Sequence, residues 1–513
     1  MQTLHSPSQA AHWLRQNVSG VLCTDSRSVK AGDAFIAWPG AATDGRAYVV
    51  SALNQGAAAC LVEAQGSESW SAEWLKANAD VTSKLAAYKG LKADTGWIAD
   101  AYYEQPSQGL KVMAVTGTNG KTSTTWWLAQ ALNARPNNAR CAVVGTLGVG
   151  EPPELMSTGM TTPDPVLLQS QLRNFVTAGV THCAMEASSI GIAEQRLAGT
   201  RIQLAIFTNF TQDHLDYHGT MAAYWQAKQA LFAWPDLQVA VVNVDDAKGA
   251  ELAAQLQSQT ALDLWTCSSQ GKPARLQALN LQRTAKGMAF DVQEAQQRVH
   301  LQTHLMGDYN VDNVLGVMAA LRAMNMPLNQ VTEVCARLQA VPGRMEKVAG
   351  VEGIELPLTV VDYAHTPDAV IQTLSNLKRV AQSLNSKLWC VLGCGGDRDV
   401  SKRPLMAAAA ESEADHVVLT SDNPRTESPA AIVQAMLQGM KKPQAAYQEL
   451  DRAKAIDHAV MQAGPHDIVL IAGKGHEDTQ EIAGVKHPFD DRLHAHEALV
   501  RRANTLASKE VRS

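Results

Sequence analysis

The chain has 513 residues, 46% of them hydrophobic and 18% charged, with a formal net charge of -6. At roughly 150 residues per domain that is too long for one core, and about three domains are expected. The composition excludes a disordered or fibrous chain, and the charge gives no support to nucleic acid or an anionic membrane as the main partner. Short apolar runs alternate with longer amphipathic stretches, which predicts an α/β fold with mostly parallel sheets. A first domain over 1–108 holds predicted strands at Asp33–Trp38 and Ala59–Glu63 and a helix over Tyr48–Gln55. The polar segment Glu104–Gly109, with its Pro and Gly, reads as a linker. A central domain over 109–341 opens with a strand at Leu110–Val115, and the Pro-Gly of Val341–Arg344 marks the next joint. The last domain, 342–513, carries predicted strands at Leu358–Val361, Leu388–Leu392 and Asp467–Ile471. Each runs into a charged or Gly-rich loop, where open α/β sheets bind their ligands.

The eight cysteines form no CxxC pair, and Cys60, Cys141, Cys183 and Cys390 lie in apolar runs. They read as small buried hydrophobes in a reducing compartment. The N-terminal residues lack a basic and then apolar leader, and no apolar run reaches the ~18 residues of a membrane span. The expectation is a cytoplasmic, soluble monomer.

The most informative segment is Val115–Ser123, VTGTNGKTS, set between a predicted strand and a predicted helix over Thr124–Leu132. Gly117 and Gly120 let the backbone N–H groups of this turn face phosphate oxygens, and the helix N-terminus adds its positive end. Lys121 would reach the β- and γ-phosphates, and Thr122 would offer a hydroxyl to Mg²⁺. Only Thr118 and Asn119 separate the first glycine from the Gly-Lys pair, where the common phosphate loop has four residues. The predicted strand Thr181–Glu186 delivers a carboxylate to its end; Glu186 suits Mg²⁺, although alone it also reads as a solvated strand end. Asp213-His-Leu-Asp-Tyr-His-Gly219 follows, then Tyr224 and Lys228; by itself Lys228 reads as an exposed helix lysine. In Met306–Val314 the amides of Asn310 and Asn313 match adenine edges, and an N-cap role for Asp308 or Asn310 is compatible with that. Gly393–Asp399 has Arg398 where a dinucleotide loop needs its third glycine, so a nicotinamide site is not expected.

The compressed loop resembles that of the Mur ligase and folylpolyglutamate synthetase superfamily. The DHLDxHG and YxxAK runs, the NxxN helix start, Pro342–Glu346, Val361–Asp368, Ser421–Arg425 and Gly473–Glu477 resemble Mur ligases in the family's order, over nearly the whole chain from Asp25 to Asp491. The resemblance implies three α/β domains: a UDP-sugar-binding one, a central P-loop one and a C-terminal Rossmann-like one. It implies an ATP- and Mg²⁺-dependent ligase joining an amino acid to a carboxylate through an acyl-phosphate, in building peptidoglycan precursors. Lys121, Arg344, His214 and Lys228 would be catalytic, with His214 on a second Mg²⁺ and Lys228 carbamylated by CO₂ so that it becomes an oxygen ligand. Thr122 and Glu186 complete the implied metal set. ATP would meet Gly117 to Ser123, Asn310, Asn313, Asp362 and Tyr363.

The run Asp422-Asn423-Pro424-Arg425 matches the members that accept meso-diaminopimelate. Its guanidinium suits the distal carboxylate that lysine lacks. Gly473, Glu477 and Arg398 would hold the rest of that ligand. For UDP-MurNAc-L-Ala-D-Glu the matching positions are Thr24, Ser26, Ala41, Ala42, Thr43, Thr161, Thr162, Ser188, Glu194 and Arg196. Two positions depart from the family: Ile190 stands where His is frequent, which argues against a catalytic imidazole there, and Glu194 replaces a glutamine. Folylpolyglutamate synthetase fits DNPR and the first domain poorly. A P-loop switch would turn over without an amino acid, and the chain has no guanine-reading NKxD. A degenerate binding protein is disfavoured because Lys121, Thr122, Glu186, His214 and Lys228 are all present.

Overall fold

The computed structural model describes residues 1–40, 43–66, 79–134, 139–284 and 287–510. Among them the strands form three main sheets and one separate hairpin. The first sheet is five-stranded and parallel throughout, in the order Gln2–Leu4, Leu85–Tyr88, Ala59–Glu63, Ala34–Ala37 and Leu22–Cys23. Its inner strands are buried along their whole length, as expected where both faces are covered.

The central sheet has eleven strands. Its parallel core runs Leu276–Thr284, Asp263–Ser268, Val239–Asn243, Leu204–Phe207, Lys111–Thr116, His182–Glu186 and Cys141–Gly145. Both edges turn antiparallel, through Gly287–Glu294 and Gln297–Thr303 on one side and Gly148–Glu151 and Glu154–Met156 on the other. The sheet is thus mostly parallel, as expected, with antiparallel strands only at its edges. The helices Lys121–Asn133 and Tyr309–Ala323 are buried on nearly every side, and their apolar residues belong to the largest core cluster.

The third sheet is six-stranded, in the order Glu346–Lys347, Leu358–Asp362, Ile468–Ala472, Leu388–Cys394, His416–Ser421 and Tyr447–Gln448. It is parallel except at its first strand. Glu104–Gly109 is docked rather than free: Pro106–Gly109 makes a tight helical turn, and the Ser107 hydroxyl accepts from the Arg201 N–H at 2.9 Å. Cys23 is half-buried and the other seven cysteines are buried, all of them free thiols. No described helix is long and apolar enough to cross a membrane.

Candidate active site

Gly117 (φ +152°) and Gly120 (φ +86°) take conformations that favour glycine, and the helix begins directly at Lys121. A Cβ on Gly120 would lie 2.3 Å from Asn313 Oδ1, and one on Gly117 1.9 Å from Thr208 Oγ1. The loop is braced from the neighbouring strand end: Thr208 Oγ1 donates to the Asn119 carbonyl (2.6 Å), and the Asn119 N–H donates to Asn209 Oδ1 (2.9 Å). Sequence reasoning missed Thr208 and Asn209, although they directly follow the strand Leu204–Phe207 beside the loop strand, where ligand-facing residues collect. Lys121 folds over the turn, its ammonium donating to the carbonyls of Gly117 (2.9 Å) and Thr118 (2.8 Å).

The candidate metal residues surround this loop. Glu186 is 1% exposed and receives the Thr146 N–H on Oε1 (2.8 Å) and the Thr146 hydroxyl on Oε2 (3.2 Å). Lys228 is no exposed helix lysine. It is 1% exposed, and its Nζ donates to the Gly117 carbonyl at 2.6 Å, 4.5 Å from the centre of the Tyr224 ring. Burial and then the charge of Lys121 push its ammonium well below the ordinary lysine range. Burial likewise lowers His214, with Lys121 and Lys228 adding to the effect. Tyr224 OH lies 3.2 Å from Thr118 Oγ1, joining the lysine helix to the phosphate loop.

Arg344 reaches the same place from the Val341–Arg344 turn. Its Nη2 donates to Thr122 Oγ1 at 3.3 Å, and its guanidinium lies 4.4 Å from the centre of the Tyr363 ring. Asp362 accepts the Met345 N–H at 2.7 Å; burial raises its carboxyl, against the pull of Arg344. Two openings flank Arg344. One pocket of about 390 Å³ is lined by Trp127, His304, Asn310 and Lys347 among others, and a smaller one of about 80 Å³ by Gly120, Ser123, Asn313, Tyr363 and His365 among others. Asn313 is thus at the phosphate loop and Asn310 at the larger pocket; their amides meet each other at 3.1 Å. Asp308, at the helix start, makes no side-chain cap bond and instead pairs with Arg283 (2.6 Å) and Arg379.

A third pocket, about 260 Å³, brings His214 and Asp213 together with Arg398, Asp422, Asn423, Arg425, Gly473 and Glu477. Arg425 adopts φ +51° and its Nη1 donates to the Gly396 carbonyl at 2.6 Å. Pro424 precedes it in the same loop, and the Pro424 carbonyl sits where a Cβ on Gly396 would fall. Behind the pocket, fully buried Arg452 forms a two-pronged pair with Asp491 and donates to the carbonyls of Ser421 (3.2 Å) and Ala472 (3.0 Å). These carbonyls end the two strands that launch the DNPR and Gly473–Glu477 loops. Lys402 Nζ pairs with Asp213 at 3.1 Å across the cleft. Burial raises the Asp213 carboxyl, but His214 and Lys402 outweigh it and hold it below its ordinary value.

Toward the first domain, Thr162 Oγ1 donates to the Glu186 carbonyl (2.7 Å) and meets Ser188 Oγ (3.0 Å). Thr161 meets Thr146 at 3.0 Å, and Arg196 donates to the Thr162 carbonyl at 3.0 Å. Burial raises the Asp164 carboxyl, and Thr24 of the first domain is among the neighbours that pull it down. Ser26 opens a one-turn helix capped by Asp25, and Thr43 meets Tyr48 OH at 3.3 Å. Ala41 and Ala42 lie outside the described residues. Glu194 pairs with Lys92 of the first domain at 2.6 Å and with Tyr217 of the His214 loop. At half-buried Ile190 there is no imidazole; His218 Nε2 stands 3.0 Å from the adjacent Ser189 hydroxyl.

Comparison with known proteins matches this arrangement along the chain. Residues 20–94 match the Mur ligase family catalytic domain, 115–321 the Mur ligase middle domain and 343–475 the Mur ligase glutamate ligase domain. A protein of Acidovorax sp. (strain JS42) named UDP-N-acetylmuramoyl-L-alanyl-D-glutamate–2,6-diaminopimelate ligase is 56% identical, covering 98% of this chain and 99% of its own. One of the same name from Ralstonia nicotianae is 45% identical over 96% and 95%. A solved structure of a ligase of that name superposes with a TM-score of 0.65 at 35% identity, over 94% and 95% of the two chains. A folylpolyglutamate synthase from Mycobacterium tuberculosis, at 19% identity and a TM-score of 0.60 over 74% of this chain and 92% of its own, shares the fold alone. With all three of its regions matched and a relative 56% identical over 98% of its length, the chain belongs to the Mur ligase family.

Proposed function

We propose that the protein adds meso-2,6-diaminopimelate to the D-Glu γ-carboxylate of UDP-MurNAc-L-Ala-D-Glu, using ATP. The observation that carries this reading is a shared cleft: His214, beside the phosphate loop, lines the same 260 Å³ pocket as Arg425 and Glu477. The three domains are taken as 1–108, 109–341 and 342–513.

The reaction has two steps. The γ-carboxylate oxygen attacks the γ-phosphorus of ATP, the bond to the bridging oxygen breaks, and ADP leaves. The amine of diaminopimelate then attacks the acyl carbon and loses a proton, and inorganic phosphate departs. Lys121, released from the Gly117 and Thr118 carbonyls, and Arg344, already at Thr122, are the cations that meet charge on the transferring group. Gly117 to Ser123, Asn313, Asp362 and Tyr363 surround the phosphates, and the pocket at Asn310 takes the base. Thr161, Thr162, Ser188, Glu194 and Arg196 hold the muramoyl peptide, with Thr24, Ser26 and Ala41 to Thr43 at the uridine end.

Arg425 and Arg398 face the distal carboxylate, and Glu477 and Asp422 the ammonium. Excluding water matters because it would hydrolyse the acyl-phosphate, and the cleft between the domains provides that shelter.

Mg²⁺ fits the residues present. Among the described residues no group of three His, Cys, Asp or Glu side chains forms a ready-made cage. Mg²⁺ commonly takes one or two carboxylates and completes its shell with water and phosphate. Thr122 and buried Glu186 supply such hard donors, with His214 and Lys228 beside a second position. When bound, Mg²⁺ would neutralise phosphate oxygens. Lys228 as an ammonium would repel it. The ammonium first loses one proton to become the neutral amine; bonding of its Nζ to the carbon of CO₂ with loss of a second proton makes the side chain an anion, and its place at the Gly117 carbonyl supports that role.

The test is product analysis after incubation with ATP, Mg²⁺, UDP-MurNAc-L-Ala-D-Glu and diaminopimelate. One ADP and one phosphate per UDP-MurNAc-tripeptide are expected; ADP without tripeptide would refute the ligase reading.

A further inference from the structure

Lys474 has no exposed side-chain surface, and it does not line the pocket that its neighbours Gly473 and Glu477 line. Its ammonium donates to Asn423 Oδ1 (3.1 Å), Glu477 Oε2 (2.8 Å) and the Thr479 carbonyl (2.6 Å). An ammonium has three donors, so these three acceptors use it fully and leave nothing for a ligand. The geometry points to Lys474 as a positioning residue that fixes the amide of Asn423 and the carboxylate of Glu477, and so sets the pocket's selectivity for a zwitterionic amino-acid end. The inference rests on the amino-acid reading of that pocket.

The amide orientation follows from the bonds. Asn423 Oδ1 also accepts the Glu481 N–H at 3.0 Å, so a flipped amide would set its NH₂ against an ammonium and an N–H. Held this way, Asn423 Nδ2 donates to Glu477 Oε2 at 2.7 Å. Both bonds to Glu477 fall on Oε2 and leave Oε1 as the oxygen available to a ligand ammonium. Thr479 begins the strand Thr479–Ile482, whose Glu481 carbonyl accepts the Arg425 N–H at 3.0 Å. One cation therefore ties the acidic and basic halves of the pocket to a common frame. Burial alone would raise the Glu477 carboxyl; Lys474 and Asn423 outweigh it and keep it below its ordinary value.

The test is steady-state kinetics of full-length Lys474→Met, which keeps the length and removes the charge. The expected result is a KM for diaminopimelate raised at least about tenfold, the loss expected on removing a hydrogen bond to a charged group. The KM values for ATP and the UDP-muramoyl dipeptide should stay within about twofold, the scatter of ordinary context effects. Combined with Glu477→Gln, the two losses should be less than multiplicative, because Lys474 acts through Glu477. A uniform rise in all three constants, loss of ATP binding, or multiplicative losses would each overturn the inference and leave Lys474 a general structural residue. Wild-type protein runs alongside: if diaminopimelate fails to support its turnover, the functional reading itself has failed, which is a separate result.

Discussion

Lys228 is the residue whose surroundings contradict its sequence appearance most strongly. In isolation it is a helix lysine near a charged loop; in the fold its amine is sealed against the Gly117 carbonyl and the Tyr224 ring. We predict that Lys228→Ala lowers turnover by at least about 10²-fold, the scale for losing a transition-state electrostatic group. Short carboxylates such as formate should restore part of it; full activity of the variant would end the carbamate proposal. His476 supports a second residue-scale prediction. Burial, and then the Arg344 charge, lower its imidazole to about 4, and its Nδ1 is buried without a partner. The unfolded chain binds that proton below about pH 6.5 while the native state refuses it until about pH 4. Stability is therefore complete above pH 6.5 and is lost as pH falls toward 4, by no more than about 3 kcal/mol. Urea midpoints of His476→Phe should show a flatter pH dependence across that window than the wild type; an unchanged slope would contradict the assignment.

Among the elements, the strand–loop–helix at Lys111–Asn133 was the most legible in sequence, because a phosphate turn makes local demands: glycines with free backbone angles and a helix start behind them. The helix begins three residues earlier than the apolar pattern implied, since the phosphate turn itself forms its first turn. Gly120→Ala places a Cβ against Asn313 Oδ1 at a φ of +86°. We predict at least about a tenfold weaker ATP affinity by calorimetry, with melting lowered by only a few degrees, the size of a 1–2 kcal/mol strain. Unchanged affinity would show that the turn tolerates the side chain. Less legible were features made by contacts distant in sequence. Thr208 and Asn209 brace the phosphate turn from another strand, Trp127 and His304 line a pocket beside Arg344, and Lys474 works from behind its loop. Which edges of the mostly parallel central sheet turn antiparallel was illegible for a similar reason: partner choice at an edge depends on which strands arrive beside it, whereas strand positions such as Ala59–Glu63 are fixed by their own apolar run.

At the scale of the whole molecule, the site is assembled from pieces that no single domain contains. Lys402 reaches Asp213, Arg344 reaches Thr122, and Asp308 collects Arg283 and Arg379, while Lys92 and Glu194 join the first domain to the His214 loop. The partly exposed ion pairs among these contribute about 0–1 kcal/mol each, enough to bias how the domains sit and too little to lock them. We predict that the double variant Arg379→Ala, Lys402→Ala keeps its melting temperature within a few degrees but has a larger radius of gyration by X-ray scattering without ligands. A radius equal to the wild type would show that these two cations do not hold the domains in place.

In the proposed reaction, phosphate release is committed to one amino acid. The most direct measurement is phosphate release with ATP, Mg²⁺ and UDP-MurNAc-L-Ala-D-Glu, run with meso-diaminopimelate, with L-lysine, and with neither. Release that depends on diaminopimelate is predicted. Release with lysine alone would overturn the role given to Arg425, and equal release without any amino acid would contradict the ligase account.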